Sequence, residues 1–266
     1  MAKLGHAFEQ NQLGIASILA IGPDYSDTEA VKWFQQAAQR GYAPAQVNLG
    51  VMYVNGWGVA VNDGAALRWF KAAADQGSGR ADYNLGTLYL RGQGVRQDYT
   101  EAFRWFLAGS AANDTDARAN LGYLYDKGLG CAHSLADAVS WYRKAADGGN
   151  PLGQNNLGDM YLRGEGVAQN SVEAFRLFQP AAEQGHTGAR IKLGFMYAEG
   201  LGTEKSPETA YMWIYAATLA GDQRGRDLLH SLEANLTSPQ VADARVRARS
   251  SLFEGDHRLS AKALAQ

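Results

Sequence analysis

Apolar residues recur along this chain at three- and four-residue steps and then stop at glycine pairs, a pattern that predicts short amphipathic helices joined by tight turns. Ala45, Leu49, Met52 and Tyr53 share one helical face, and the segment from Gly56 to Val59 ends that helix, because paired glycines supply the backbone angles of a tight turn. A second helix then buries Ala66, Trp69, Phe70 and Ala73 and stops near Gly77, a glycine placed where helices end.

The same unit returns six times. Leu-Gly recurs at Leu13-Gly14, Leu49-Gly50, Leu85-Gly86, Leu121-Gly122, Leu157-Gly158 and Leu193-Gly194, each step being 36 residues with no insertion or deletion. Tyr53, Tyr89, Tyr125, Tyr161 and Tyr197 keep that step, as do the first turn glycines (Gly56, Gly92, Gly128, Gly164, Gly200) and the second (Gly58, Gly94, Gly130, Gly166, Gly202). Trp33, Trp69, Trp105, Trp141 and Trp213 occupy one column, with Leu177 as its exception. Both aromatic columns are expected in the core.

Each second helix is predicted to open on Ser26, Asn62, Asp98, Ser134, Asn170 or Ser206, all side chains able to accept from an unpaired amide. Ser26 with Glu29 has capping-box spacing, and Glu101, Asp137 and Glu173 place acids where the helix dipole favours them. Glycine inside each first helix costs about 1 kcal/mol relative to alanine. The expected compensation is close approach of a ring, such as Trp69 or Tyr53, to the backbone at Gly50. One helical hairpin cannot bury both of its apolar sides, so the units must stack.

The elements between Ala45 and Gly77, Leu-Gly, Tyr, Gly-x-Gly-Val, Ala and Trp-Phe-Lys-Ala-Ala, resemble the Sel1-like repeat, a relative of the tetratricopeptide repeat. That resemblance implies an all-α, right-handed superhelical solenoid of two-helix repeats with a C-terminal capping helix. Its expected divisions are an N-terminal end at 1–6, repeats at 7–42, 43–78, 79–114, 115–150, 151–186 and 187–222, capping helices at 223–250 and a frayed helix or tail at 251–266. Repeat 1 departs from the pattern, with Ser17 in the Tyr column, Ala20 for the first turn glycine and Pro23 after Gly22, and reads as a degenerate cap or a truncated edge.

By the same resemblance the first helices line a concave groove, and the residues facing it fall at i, i+3 and i+7. The candidate partner-binding residues are Asn48 and Val51; Asn84, Thr87 and Arg91; Asn120, Tyr123 and Lys127; Asn156, Asp159 and Arg163; and Lys192 and Phe195. The carboxamides Gln12, Asn48, Asn84, Asn120 and Asn156 form a ladder that either grips a peptide backbone or bridges neighbouring helices. Tyr123 and Phe195 are the expected anchors. The function implied is a non-catalytic adaptor or scaffold of bacterial type, holding a peptide or another protein. Two alternatives stand beside it: a self-associating structural or envelope component, dimeric through Leu4, Phe8, Ile15, Ile18 and Leu19 of repeat 1, and, more remotely, the β-lactam binding or hydrolysis linked to cysteine-rich relatives.

Composition narrows the choice. With 25 Lys+Arg against 27 Asp+Glu and a net charge of -2, the chain lacks the basic field that nucleic acid requires. It also lacks any unbroken apolar window of the roughly 18 to 20 residues that insert into a membrane. The stretch Leu13 to Ile21 lacks a signal peptide's flanks and reads as a buried helix. A complete chain would be cytoplasmic, and one that had lost a signal periplasmic or secreted.

One cysteine, Cys131, rules out an intrachain disulfide or a multi-cysteine zinc site. Two residues before His133, it reads as a packed or incidental thiol. His6, His133, His186, His230 and His257 show no metal-ligand spacing, and Asp126, Asp159 and Glu199 stand isolated. No catalytic residue, metal or cofactor is expected.

Overall fold

A computed structural model describes residues 2–19 and 26–265, with side chains at 6–19 and 26–251. Ala20, Gly22 and Pro23, and the Leu4 side chain, therefore fall outside the described residues. Among those described there are 14 helices and no strand. The chain divides into two compact units, the first holding residues up to His133 and the second beginning at Ser134. In the first unit lie α1 (Ala2–Leu19), α2 (Asp27–Gln39), α3 (Ala43–Asn55), α4 (Asp63–Ala74), α5 (Gly79–Arg91), α6 (Tyr99–Ala111) and α7 (Thr115–Lys127). The second begins with α8 (Leu135–Asp147), α9 (Pro151–Arg163), α10 (Ser171–Glu183), α11 (Thr187–Glu199) and α12 (Pro207–Leu219), followed by α13 (Arg226–Glu233) and α14 (Ser238–Ala265).

The expected caps form at all six second helices. Ser26, Asn62, Asp98, Ser134, Asn170 and Ser206 each accept a backbone N–H two or three residues on. Glu29 and Glu101 do not reach back as a capping box would; each pairs forward at 2.6 Å, with Lys32 and Arg104. A second cap column was not anticipated: Ser78, Asp114, Asn150 and His186 cap α5, α7, α9 and α11. His186 accepts from the Ala189 amide at 3.1 Å through Nδ1, and burial, then the neighbouring Lys192 and Arg224 charges, hold its pKa below the ordinary value.

Within each unit the core forms where a second helix packs on first helices, that of its own repeat and that of the next. Phe34 and Ala37 of α2 pack with Leu49 and Met52 of α3; Phe70 of α4 packs with Leu85 and Leu88 of α5; and Phe178 of α10 packs with Leu193 and Met196 of α11. This corrects the expected role of tryptophan. At five mid-helix glycines the side chain in contact is the one after the tryptophan column: Phe34 lies on Gly14, Phe70 on Gly50, Phe106 on Gly86, Phe178 on Gly158, and Ile214 takes that place on Gly194. The Trp69 and Tyr53 columns are half-buried along the flank of this core. A helix turns 100° per residue, so adjacent aromatics cannot both point into one interface, and the smaller ring lies against the first-helix backbone of its own repeat.

The first turn glycine adopts the left-handed conformation at each first-helix C-cap, as at Gly92 (φ 69°). The second, such as Gly94 or Gly130, lies against the backbone at the start of the preceding repeat's second helix. Where repeats 1, 2, 4, 5 and 6 end the second helix on Gly41, Gly77, Gly149, Gly185 and Gly221, repeat 3 has Asn113 at φ 65°. Asparagine is the next most tolerant residue there. Asn113→Gly is accordingly expected to raise stability by about 0.5 to 1 kcal/mol, read as a higher urea midpoint with an unchanged slope. An unchanged or lower midpoint would show that the Arg118 hydrogen bond to Asn113 Oδ1 outweighs the backbone strain.

At the chain's end, Leu229 and Leu232 of α13 and Val241 and Ala244 of α14 cover Ala210, Tyr211 and Ile214 of α12. Arg245 secures this packing, donating to Tyr211 Oη at 2.9 Å and to Glu233 Oε1 at 2.8 Å. The final helix runs to Ala265, through the stretch read from the sequence as a frayed helix or tail.

Candidate partner-binding face

The candidate residues lie on the first helices α3, α5, α7, α9 and α11, on the face read from the sequence as groove-lining. In the first unit the carboxamides are spent inside the fold. Asn48 is 6% exposed and donates Nδ2 to Asn11 Oδ1 of the preceding repeat at 3.0 Å. Asn84 and Asn120 donate to the backbone carbonyls one turn back, Arg80 O at 2.9 Å and Asp116 O at 2.8 Å. Asn48 is thus withdrawn from any ligand, a correction to its place in the expected groove, and the bridging alternative describes it. Thr87 is similarly engaged, its hydroxyl donating to Tyr83 O at 3.0 Å.

What this face leaves in solvent is aromatic and basic. Tyr123 is 37% exposed, Val51 is half-buried, and Arg91 and Lys127 are exposed, with Lys127 Nζ 2.9 Å from Asp126 Oδ2. Phe8 and Leu19 of α1 are exposed as well. Phe8, whose ring meets Tyr42 edge-on at 6.3 Å, was not anticipated for the groove. It lies one turn before Gln12, so extending the stripe by i−4 would have found it.

The second unit has a different centre. Lys192 Nζ pairs with Asp159 Oδ2, stands 3.4 Å from Asn155 Oδ1 and lies 5.4 Å from the centre of the Phe178 ring. Burial lowers the Lys192 pKa, and the bond to Asp159 partly offsets that. Lys192 and Asp159 therefore complete each other's charge. Asn156 accepts from Asn155 Nδ2 at 2.9 Å, Arg163 is exposed at 3.9 Å from Glu165, and Phe195 is 41% exposed.

The outer side of α1 differs from the self-association surface drawn from the sequence. Ile15 is buried and Ile18 packs on the core, so neither is offered to a second copy. Leu13, by contrast, is 47% exposed, whereas its equivalents Leu49, Leu85, Leu121, Leu157 and Leu193 are buried. Around it the columns that are apolar elsewhere turn small or polar: Glu9 stands in the column of Ala45, Ala16 in that of Met52, and Ser17 in that of Tyr53. These exchanges make this side of α1 more polar than the same side of the other first helices.

Among the described residues no three His, Cys, Asp or Glu side chains group as metal ligands, and no helix is long and apolar enough to cross a membrane. Cys131 is half-buried.

A family model described as Sel1 repeat matches residues 10–42, 43–78, 79–114, 115–150, 151–186 and 188–222. Among solved structures, a Sel1 repeat protein from Oxalobacter formigenes is 31% identical with a TM-score of 0.72, over 80% of this chain and 86% of that one. The protective antigen c5321 of uropathogenic Escherichia coli, displaying an SLR fold, is 29% identical with a TM-score of 0.68 over 100% of this chain, which spans 63% of its length. The immunity protein Pa5087 of Pseudomonas aeruginosa shares the fold at 20% identity, with a TM-score of 0.53 over 90% of this chain and 83% of that one. No curated protein matches the sequence. Six consecutive family matches, the paired helices and these structural likenesses agree, and the chain belongs to the Sel1 repeat family.

Proposed function

We propose that this protein is an adaptor that holds a segment of another protein on its first-helix face without chemical turnover. Proteins of the Sel1 repeat family generally mediate protein–protein interaction and are typically non-catalytic scaffolds. The observation that carries the finer reading is one column: Val51, Thr87, Tyr123, Asp159 and Phe195 change from repeat to repeat, between columns that keep their identity because they are core. A purely structural position has no reason to alternate between valine, acid and large aromatic ring, and exposed aromatics concentrate binding energy.

Tyr123→Ala is therefore expected to reduce partner recovery in a pull-down from the native organism's lysate by about 30-fold, the equivalent of 2 kcal/mol. Tyr123 is exposed, so the melting temperature should stay within about 2 °C. Full recovery of the same partner by Tyr123→Ala and by Phe195→Ala would remove this face from the binding function.

A further inference from the structure

In three repeats the end of the second helix meets a polar position on the first helix of its own repeat, and the chain supplies both sides of that contact. Arg40 Nη1 donates to Gln10 Oε1 at 2.8 Å, Gln76 Nε2 to Gln46 Oε1 at 2.8 Å, and Gln184 Nε2 to Gln154 Oε1 at 3.1 Å. Repeat 3 carries Ala112 in the donor's place and Asp82 in the acceptor's. The donor is missing where the acceptor has gained a charge. Asp82 is only 6% exposed, and among the described residues no hydrogen-bond donor reaches its carboxylate.

The surroundings do not neutralise it. Asp114, the cap of α7, adds a second carboxylate; burial first, and then that charge, push the Asp82 carboxyl up to about 6. Asp116 is the third acid, and Arg80 serves it together with Asp114, which lies 3.6 Å from Arg80 Nη1. Arg118 is turned to Asn113. Three acids and two arginines leave one negative charge over, and it is the buried one.

Two other repeats show which group fits such a corner. In repeat 1 the donor is a guanidinium, that of Arg40. At the same corner of repeat 6, Ala220 stands where Ala112 does, and beside it the surface sinks into a depression of about 620 Å³ lined by Thr187, Asp222 and Arg224. There Arg224 Nε lies 2.9 and 3.2 Å from the carboxylate oxygens of Asp222, the counterpart of Asp114.

We propose that the corner between the end of α6 and the start of α7 is a receptor for an arginine side chain of a partner protein, whose guanidinium takes the place of the donor missing opposite Asp82. A guanidinium suits it better than an ammonium because its planar fork can serve two carboxylates at once, here Asp82 and Asp114. The site stands independently of the anchors Tyr123 and Phe195.

The full chain is titrated with Nα-acetyl-L-arginine amide at pH 7.5, with Nα-acetyl-citrulline amide as the neutral isostere, while the backbone amides of Asp82 and Asp114 are followed by NMR. Saturable shifts are expected with the arginine compound and none with citrulline. Binding should weaken at least about 10-fold in Asp82→Asn and on lowering the pH to 5, where the carboxyl takes up its proton. A second arm supplies the guanidinium from the chain itself. Ala112→Arg is expected to raise the melting temperature by a few degrees at pH 7.5, and to lose that gain in an Asp82→Asn background, which keeps the shape and removes the charge. Equal shifts by citrulline and arginine, or an Ala112→Arg gain of the same size in both backgrounds, would overturn the proposal.

Discussion

Gly130→Ala is expected to cost about 3 kcal/mol or more, whereas Gly77→Ala costs about 1 kcal/mol. Both glycines have positive φ, 69° and 82°, so the penalty for a left-handed alanine is shared. They differ in what a Cβ would meet. At Gly77 nothing lies within 4 Å, while at Gly130 the new atom overlaps the Tyr99 carbonyl and the Thr100 amide nitrogen. Those are backbone atoms at the start of α6, and they cannot rotate aside. Relief requires either that the turn move away from α6 or that the helix start shift, which also disturbs the Thr100 amide bonded to the Asp98 cap at 2.9 Å. A lost cap adds about 1 kcal/mol. Urea unfolding of the two variants measures the difference, and equal losses would show that the second turn glycine is needed only for its φ.

Gly86→Ala is expected to destabilise by about 1 to 3 kcal/mol although it improves helix propensity by about 1 kcal/mol. Gly86 is helical, so alanine suits its backbone, but the added Cβ would sit 2.6 Å from two atoms of the Phe106 ring. Phe106 is fully buried and has no free space to turn into. Phe106→Leu alone should also destabilise, by leaving a cavity. The two changes together should cost less than their sum by about 1 kcal/mol or more, because the smaller side chain frees the room that the methyl needs. Strict additivity in this cycle would mean that the glycine column is not kept for the phenylalanine.

Much of the fold is legible before any coordinates. The Leu-Gly period, the six second-helix caps and the turn glycines each rest on local chemistry: a side chain accepting an amide three residues away, or a backbone angle that only glycine reaches cheaply. Less legible is the assignment of neighbours. Trp69 and Phe70 are adjacent and apolar in the sequence, and only the packing of α4 on α3 and α5 puts Phe70 in the core and Trp69 on its flank. The members of the carboxamide ladder diverge for a related reason. Asn48, Asn84 and Asn156 have the same place in the repeat, but Asn48 finds Asn11 across the repeat boundary, Asn84 bonds its own helix, and Asn156 meets Asn155.

The helical class, the 36-residue unit, the starts of the six second helices and the stacking of the units can be read from the chain alone, since these follow from period and from interactions within a few residues. Tertiary structure alone decided which polar groups remain available. Asp82 and Gln46 share a column, and nothing within either helix tells them apart from a surface acid and a surface amide. Their difference arises from residue 76 or residue 112, thirty positions along the chain, where a glutamine supplies a hydrogen bond and an alanine does not. A buried charge is costly only in relation to the groups around it, and those groups come from other helices.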